Sequence, residues 1–161
     1  MRRDGNHVPY TSLDSFDILK AAPVAFTGAT ASSHGDKDNT PITNLFAVTG
    51  EVEVGIFGVC TTALTGASGT VEVGVAGNTA GLIAQTTATE INANEIWLDS
   101  SPSVGLDVTD ALSFFFVVNG MDIIETVATT DIATGEIYYV LLWRSLTVGS
   151  KVEVGTLAST A

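Results

Sequence analysis

Positive charge is missing from most of this sequence. From Asp38 through Trp143, a stretch of 106 residues, there is no Lys, Arg or His, while the same stretch holds 13 Asp and Glu. The whole chain of 161 residues carries 6 Lys and Arg against 18 Asp and Glu, a net charge of −12. Such a body repels phosphate backbones, so no nucleic-acid partner is expected for it. Cysteine is nearly absent too. The single Cys60 excludes an intrachain disulfide and a cysteine-based zinc site, and between Val59 and Thr61 it reads as a small buried apolar residue. Long apolar runs are lacking: the longest, Ile137 to Trp143, is seven residues, against roughly 20 for a bilayer-crossing helix, so no membrane partner is expected. Met1-Arg2-Arg3 has the basic start of a signal peptide, but no apolar core follows it.

Groups that do chemistry are equally sparse. The two histidines, His7 and His34, both lie before residue 41, where a general base would be poorly held. Asp36-Lys37-Asp38-Asn39 has the polarity of a calcium loop without its glycine or distal Glu. The glycines around Gly50 and Gly55 open no helix, so they make no nucleotide fingerprint. Carboxylate pairs of the glycosidase kind need a group to orient them, and no base is nearby. Trp97 beside Asp99 and Trp143 beside Arg144 are either a sugar-stacking platform or, more plainly, core aromatics. The expectation is a non-enzyme with no catalytic residues, no metal and no cofactor.

What is present is β-sheet pattern. From residue 42 onward, short runs rich in Val, Ile, Thr and Phe alternate with Gly, Asn and Ser. Glu51-Val52-Glu53-Val54-Gly55-Ile56 puts Val52, Val54 and Ile56 on one side, and Val71-Glu72-Val73-Gly74-Val75 does the same with its valines. The loop Thr65-Gly66-Ala67-Ser68-Gly69 between them suits a hairpin. Further strands are expected near 81–87, 95–99, 112–118, 121–128, 135–143 and 151–155. Asn119-Gly120 between two apolar runs favours a type I′ hairpin. About eight strands at this spacing imply an all-β fold, a single β-sandwich or jelly roll. Val-Glu-Val-Gly recurs at 52–55, 71–74 and 152–155, too irregularly for a solenoid.

Residues 1–41 read as an extended N-terminal arm preceding the domain at 42–161. Within the arm, Ser12 or Asp14 is placed to cap one short helical turn through Phe16–Lys20, stopped by Pro23. Leu13, Phe16, Ile18, Leu19 and Phe26 make it too apolar to float, so these five are the candidate anchors against a neighbour or its own domain. The chain has only 15% charged residues, and there is no lysine between residues 38 and 150 with which to guard sheet edges, which points to edges closed in the fold or covered by other protein.

The run Ile42-Thr43-Asn44-Leu45-Phe46-Ala47-Val48-Thr49-Gly50, the segment Glu95-Ile96-Trp97-Leu98-Asp99, the turn Asn119-Gly120-Met121-Asp122-Ile123-Ile124 and the strand Gly135 to Leu146 together resemble small virion proteins of tailed bacteriophages, capsid decoration (cement) proteins in particular. The similarity spans roughly 42–155 and lies in spacing and texture. It implies a structural protein of the virion, commonly a homotrimer, seated on the outer surface of the major capsid protein lattice and stabilising the head. It would be made in the host cytoplasm. The alternative is another virion part, a head fibre, neck or tail-tip protein, with receptor or glycan binding on loops near Trp97. A stand-alone carbohydrate-binding or hydrolytic β-domain is the third reading.

Overall fold

The computed structural model describes residues 16–28, 42–104 and 115–156. Eleven strands and one 3-10 turn (Ala88–Glu90) make up the described elements. The strands are β1 (Asp17–Lys20), β2 (Val24–Phe26), β3 (Ile42–Thr49), β4 (Glu51–Thr65), β5 (Thr70–Val75), β6 (Asn78–Thr87), β7 (Ile96–Trp97), β8 (Phe115–Asn119), β9 (Ile123–Ala128), β10 (Thr134–Ser145) and β11 (Lys151–Val154). They form two antiparallel sheets facing each other as a β-sandwich. Sheet A runs β1-β10-β4-β7, with β2 also on β10 and β8 also on β4. Sheet B runs β11-β3-β9-β5-β6.

The inward positions follow the period-two pattern. Val52, Val54, Ile56 and Cys60 of β4 and Ile137, Tyr139 and Leu141 of β10 face Leu45, Val71, Val73, Ile83, Ile123 and Val127 of sheet B in one core. Gly58 falls on the same inward row of β4. A Cβ there would lie 2.9 Å from Ile137 Cγ2 and 3.3 Å from the rings of Trp97 and Tyr139, so the glycine makes room for the two largest buried rings.

Both expected hairpins are corrected by the pairing. The 66–69 loop carries the chain from β4 in sheet A to β5 in sheet B, and the Asn119-Gly120 turn carries it from β8 in sheet A to β9 in sheet B. A type I′ turn needs positive φ at both central residues. Only Gly120 has it, at +62°, while Asn119 stays in strand opposite Glu51. Asp122 explains the departure: its carboxylate accepts from the backbone N–H of Val48 at 3.1 Å and from Asn44 Nδ2 at 2.8 Å, fastening the start of β9 to β3 at a bulge. Among the described residues the one tight hairpin is β5–β6, turning at Gly77.

The short helical turn expected at 16–20 is instead β1, paired with β10 through Asp17↔Trp143 to Lys20↔Val140. Three residues on, β2 pairs with the other end of β10 through Phe26↔Gly135. The free edge of a twelve-residue strand offers backbone partners along its length, and these outweigh a capping signal for a single helical turn. Residues 16–28 are therefore an edge of the sandwich rather than a free arm.

Candidate binding surface

The five candidate anchors separate once the strands are placed. Leu13 lies outside the described residues. Phe26 is 3% exposed and belongs to the core, and Leu19 packs against that core from the inward side of β1. Neither is available to a partner, and this corrects their reading as anchors. Ile18 points the other way and is 68% exposed. Phe16 sits half-buried at the entry to β1, stacked on Phe115 at 4.7 Å and under the Arg144 guanidinium at 5.0 Å.

Phe16 and Ile18 begin rows that cross the outer face of sheet A. Phe16, one residue ahead of the paired part of β1, lies under Arg144, which is in register with Glu53 and Val117, and Ile18 is aligned with Leu142, Gly55 and Phe115 in the next row. Lys20, Val140 and Phe57 form a third, and Tyr138, Val59 and Ile96 a fourth. The face is mostly apolar, with Val117 66% exposed near its far edge. Arg144 and Glu53 are joined in an ion pair within it, and Lys20 Nζ lies 3.6 Å over the Tyr138 ring, a favourable cation–π contact. Sheet B is different. Its outward row holds Thr70, Glu72, Ile124 and Thr126, the last three nearly buried, with Glu72 accepting from Gln85 at 3.0 Å.

Lysine placement fits edge protection. Lys20 is on β1 and Lys151 on β11, the outer strands of the two sheets on one flank. On the opposite flank a groove of about 120 Å³ opens between β8 and the β5–β6 hairpin, lined by Val75, Asn78, Gly81, Leu82, Phe116, Val117 and Val118. It holds no acid, base or nucleophile.

The polar groups that stand out are inside. Trp97 is fully buried, and its Nε1–H donates to Thr86 Oγ1 across the sandwich at 2.9 Å. It cannot stack on a sugar, so the glycan-binding alternative loses the residue it was built on. Trp143 packs against the core from β10. A second cross-sheet bond runs from the Tyr139 hydroxyl on β10 to the Glu125 carboxyl on β9. Glu125 is 1% exposed, and burial pushes its carboxyl up to about 7 against the partial relief from Tyr139. Burial and the Glu125 charge push the Tyr139 hydroxyl well above its ordinary value. Burial, with the Glu95 charge, raises the Cys60 thiol to about 11. Sequence reasoning passed over Glu125, although Ile123, Glu125 and Val127 share one face of a period-two strand. Among the described residues no group of three or more His, Cys, Asp or Glu is placed to hold a metal ion.

No protein-family model, curated protein or solved structure matches the chain.

Proposed function

We propose that the chain is a capsid decoration protein of a tailed bacteriophage. It would bind the outer surface of the major capsid protein lattice as a homo-oligomer, a trimer by the resemblance, and stabilise the head. One observation supports this reading above the others: the segment leading out of the N-terminal region is hydrogen-bonded along β10 at two places. Tension on the residues before Phe16 would load the β1–β10 ladder in shear, with four residue pairs resisting together, rather than peeling them one at a time. A clamp that must hold against an expanding shell needs that geometry. The grip would be supplied by the residues preceding β1, Leu13 among them, together with Phe16. The strength would come from modest contacts repeated over the lattice.

The test uses particles stripped of this protein. The full chain should co-sediment with expanded capsids at a copy number that scales with the number of capsomers. Deleting residues 1–15 should abolish binding and leave the melting temperature unchanged. Deletion of 1–40 is the wrong experiment, because it strips β1 and β2 from the sandwich. Equal capsid binding by the 1–15 deletion would overturn the clamp, and saturation at a single vertex of the particle would overturn decoration altogether.

A further inference from the structure

We infer that the outer face of sheet A is where copies of this chain meet one another. The inference does not depend on the capsid reading.

A sheet in a two-layer sandwich buries one face, and the other normally alternates to polar residues. Along the outward row of sheet B the rule is met by Glu72 and Thr126, though they and Ile124 beside them are each less than a tenth exposed. Sheet A breaks it, placing Ile18, Leu142, Val140, Tyr138, Val59 and Val117 outward across adjacent strands. Ile18 and Val117 are exposed and the residues between them half-buried, and apolar surface of this continuity marks an interaction site.

Charge selects the occupant. Three cations lie among the described residues, and two of them, Lys20 and Arg144, are on these rows. Against them stands Glu53, already paired with Arg144. The four rows therefore carry +1, and with Glu51 and Glu136 at the outward ends of β4 and β10 the face carries −1, in a chain whose net charge is −12. Two copies approaching by their acidic surfaces repel each other, whereas this face meets its own kind without that penalty. An apolar surface is also complementary to itself, as an interface between identical subunits requires.

The size suits a weak interface. Two of the rows cross four strands and two cross three, and 14 positions at about 4.8 Å by about 6.7 Å cover about 450 Å² per copy. Two copies then bury about 900 Å² in total, just under the roughly 1,000 Å² expected of a stable, specific interface. Association should therefore be concentration-dependent rather than permanent.

The experiment is sedimentation equilibrium of the full chain at neutral pH, from about 1 to 100 μM, the range in which an interface of this size changes occupancy. The mass should rise above that of one chain toward that of two copies, as a face meeting its own kind requires. Ile18→Glu with Val117→Glu, both on strands at the edge and both two-thirds exposed, should weaken association about tenfold or more with the melting temperature kept. Val148→Glu changes an equally apolar and fully exposed residue in the β10–β11 turn, off this face, and should leave the mass unchanged. A monomer throughout the range overturns the inference. So does a double variant that associates as the parent does, or a Val148→Glu variant that dissociates equally. Capsid binding is read separately, so a monomer that still decorates particles would sink this inference and spare the proposed function.

Discussion

Replacing Glu125 by Gln should stabilise the protein at neutral pH and above, and leave its stability unchanged in acid. The carboxyl is enclosed between the sheets, with the Tyr139 hydroxyl donating to it. Its ionisation is pushed from 4.5 to about 7 by burial. Below 4.5, folded and unfolded chains both hold the proton and the group contributes no pH dependence. Between 4.5 and about 7 the unfolded chain has released it and the folded chain has not, so stability falls as pH rises. Above about 7 both forms are ionised and the loss is complete. At about 1.4 kcal/mol per pH unit, that window amounts to about 3 kcal/mol. Gln keeps an acceptor for the Tyr139 hydroxyl and cannot ionise. Urea unfolding of parent and Glu125→Gln at pH 4, 5.5, 7 and 8.5 isolates the term, because every other titrating group is common to both. The difference should be near zero at pH 4 and grow to about 3 kcal/mol in favour of Gln by pH 8.5. A difference that is flat across the range would refute the reasoning.

Two other changes test the packing around the same rings. Gly58→Val forces a branched side chain against Ile137, Trp97 and Tyr139. It should cost about 1–3 kcal/mol or more in urea unfolding and alter the near-ultraviolet circular dichroism of Trp97; an unchanged midpoint would show that these rings give way freely. Cys60, raised from 9.0 to about 11, should react with a thiol reagent at pH 8 about a hundredfold more slowly in the folded chain than in urea, from ionisation alone. Labelling at the same rate in both states would contradict its burial.

The sandwich was legible where side-chain alternation and burial coincide. Val52, Val54 and Ile56 repeat with acids or glycine between them, and that pattern survives only if one side of the strand is apolar and the other is not. The turns were less legible because turn chemistry is local and sheet membership is not. Asn119-Gly120 has the composition of a hairpin, yet the partner of β8 is β4, more than sixty residues earlier in the chain. Asp122, which redirects β9, bonds to Asn44 and Val48 just as remotely. The Phe16–Lys20 segment failed for a related reason. Ile18-Leu19 has no period of its own, and its strand state is imposed by the edge of β10. Of the five anchors, Leu19 and Phe26 were mistaken because an apolar residue in a segment read as an arm looks available until its strand is docked. Ile18 differs from Leu19 by one position, and in a strand one position is the difference between solvent and core.

The same distribution of charge also bears on how such a chain avoids clumping. A sandwich has two faces and two flanks through which it can associate. On the outward row of sheet B, Glu72, Ile124 and Thr126 are each less than a tenth exposed, so that row offers little surface to a partner. Lys20 and Lys151 stand on the outer strands of one flank, where an approaching strand would have to bury a charged side chain. The β6–β8 flank has a groove but no charged lining, so its protection rests on the long-range repulsion of a −12 chain. The outer face of sheet A is then the place where apolar contact and near-neutral charge coincide. Specificity of this kind is reached by making the other approaches unfavourable as much as by improving one. It follows that raising the salt concentration should do more than strengthen the proposed contact. With repulsion screened over a Debye length of about 3 Å at 1 M, the groove flank loses its protection, and masses beyond the closed oligomer should appear. In low salt the association should stop at the closed form.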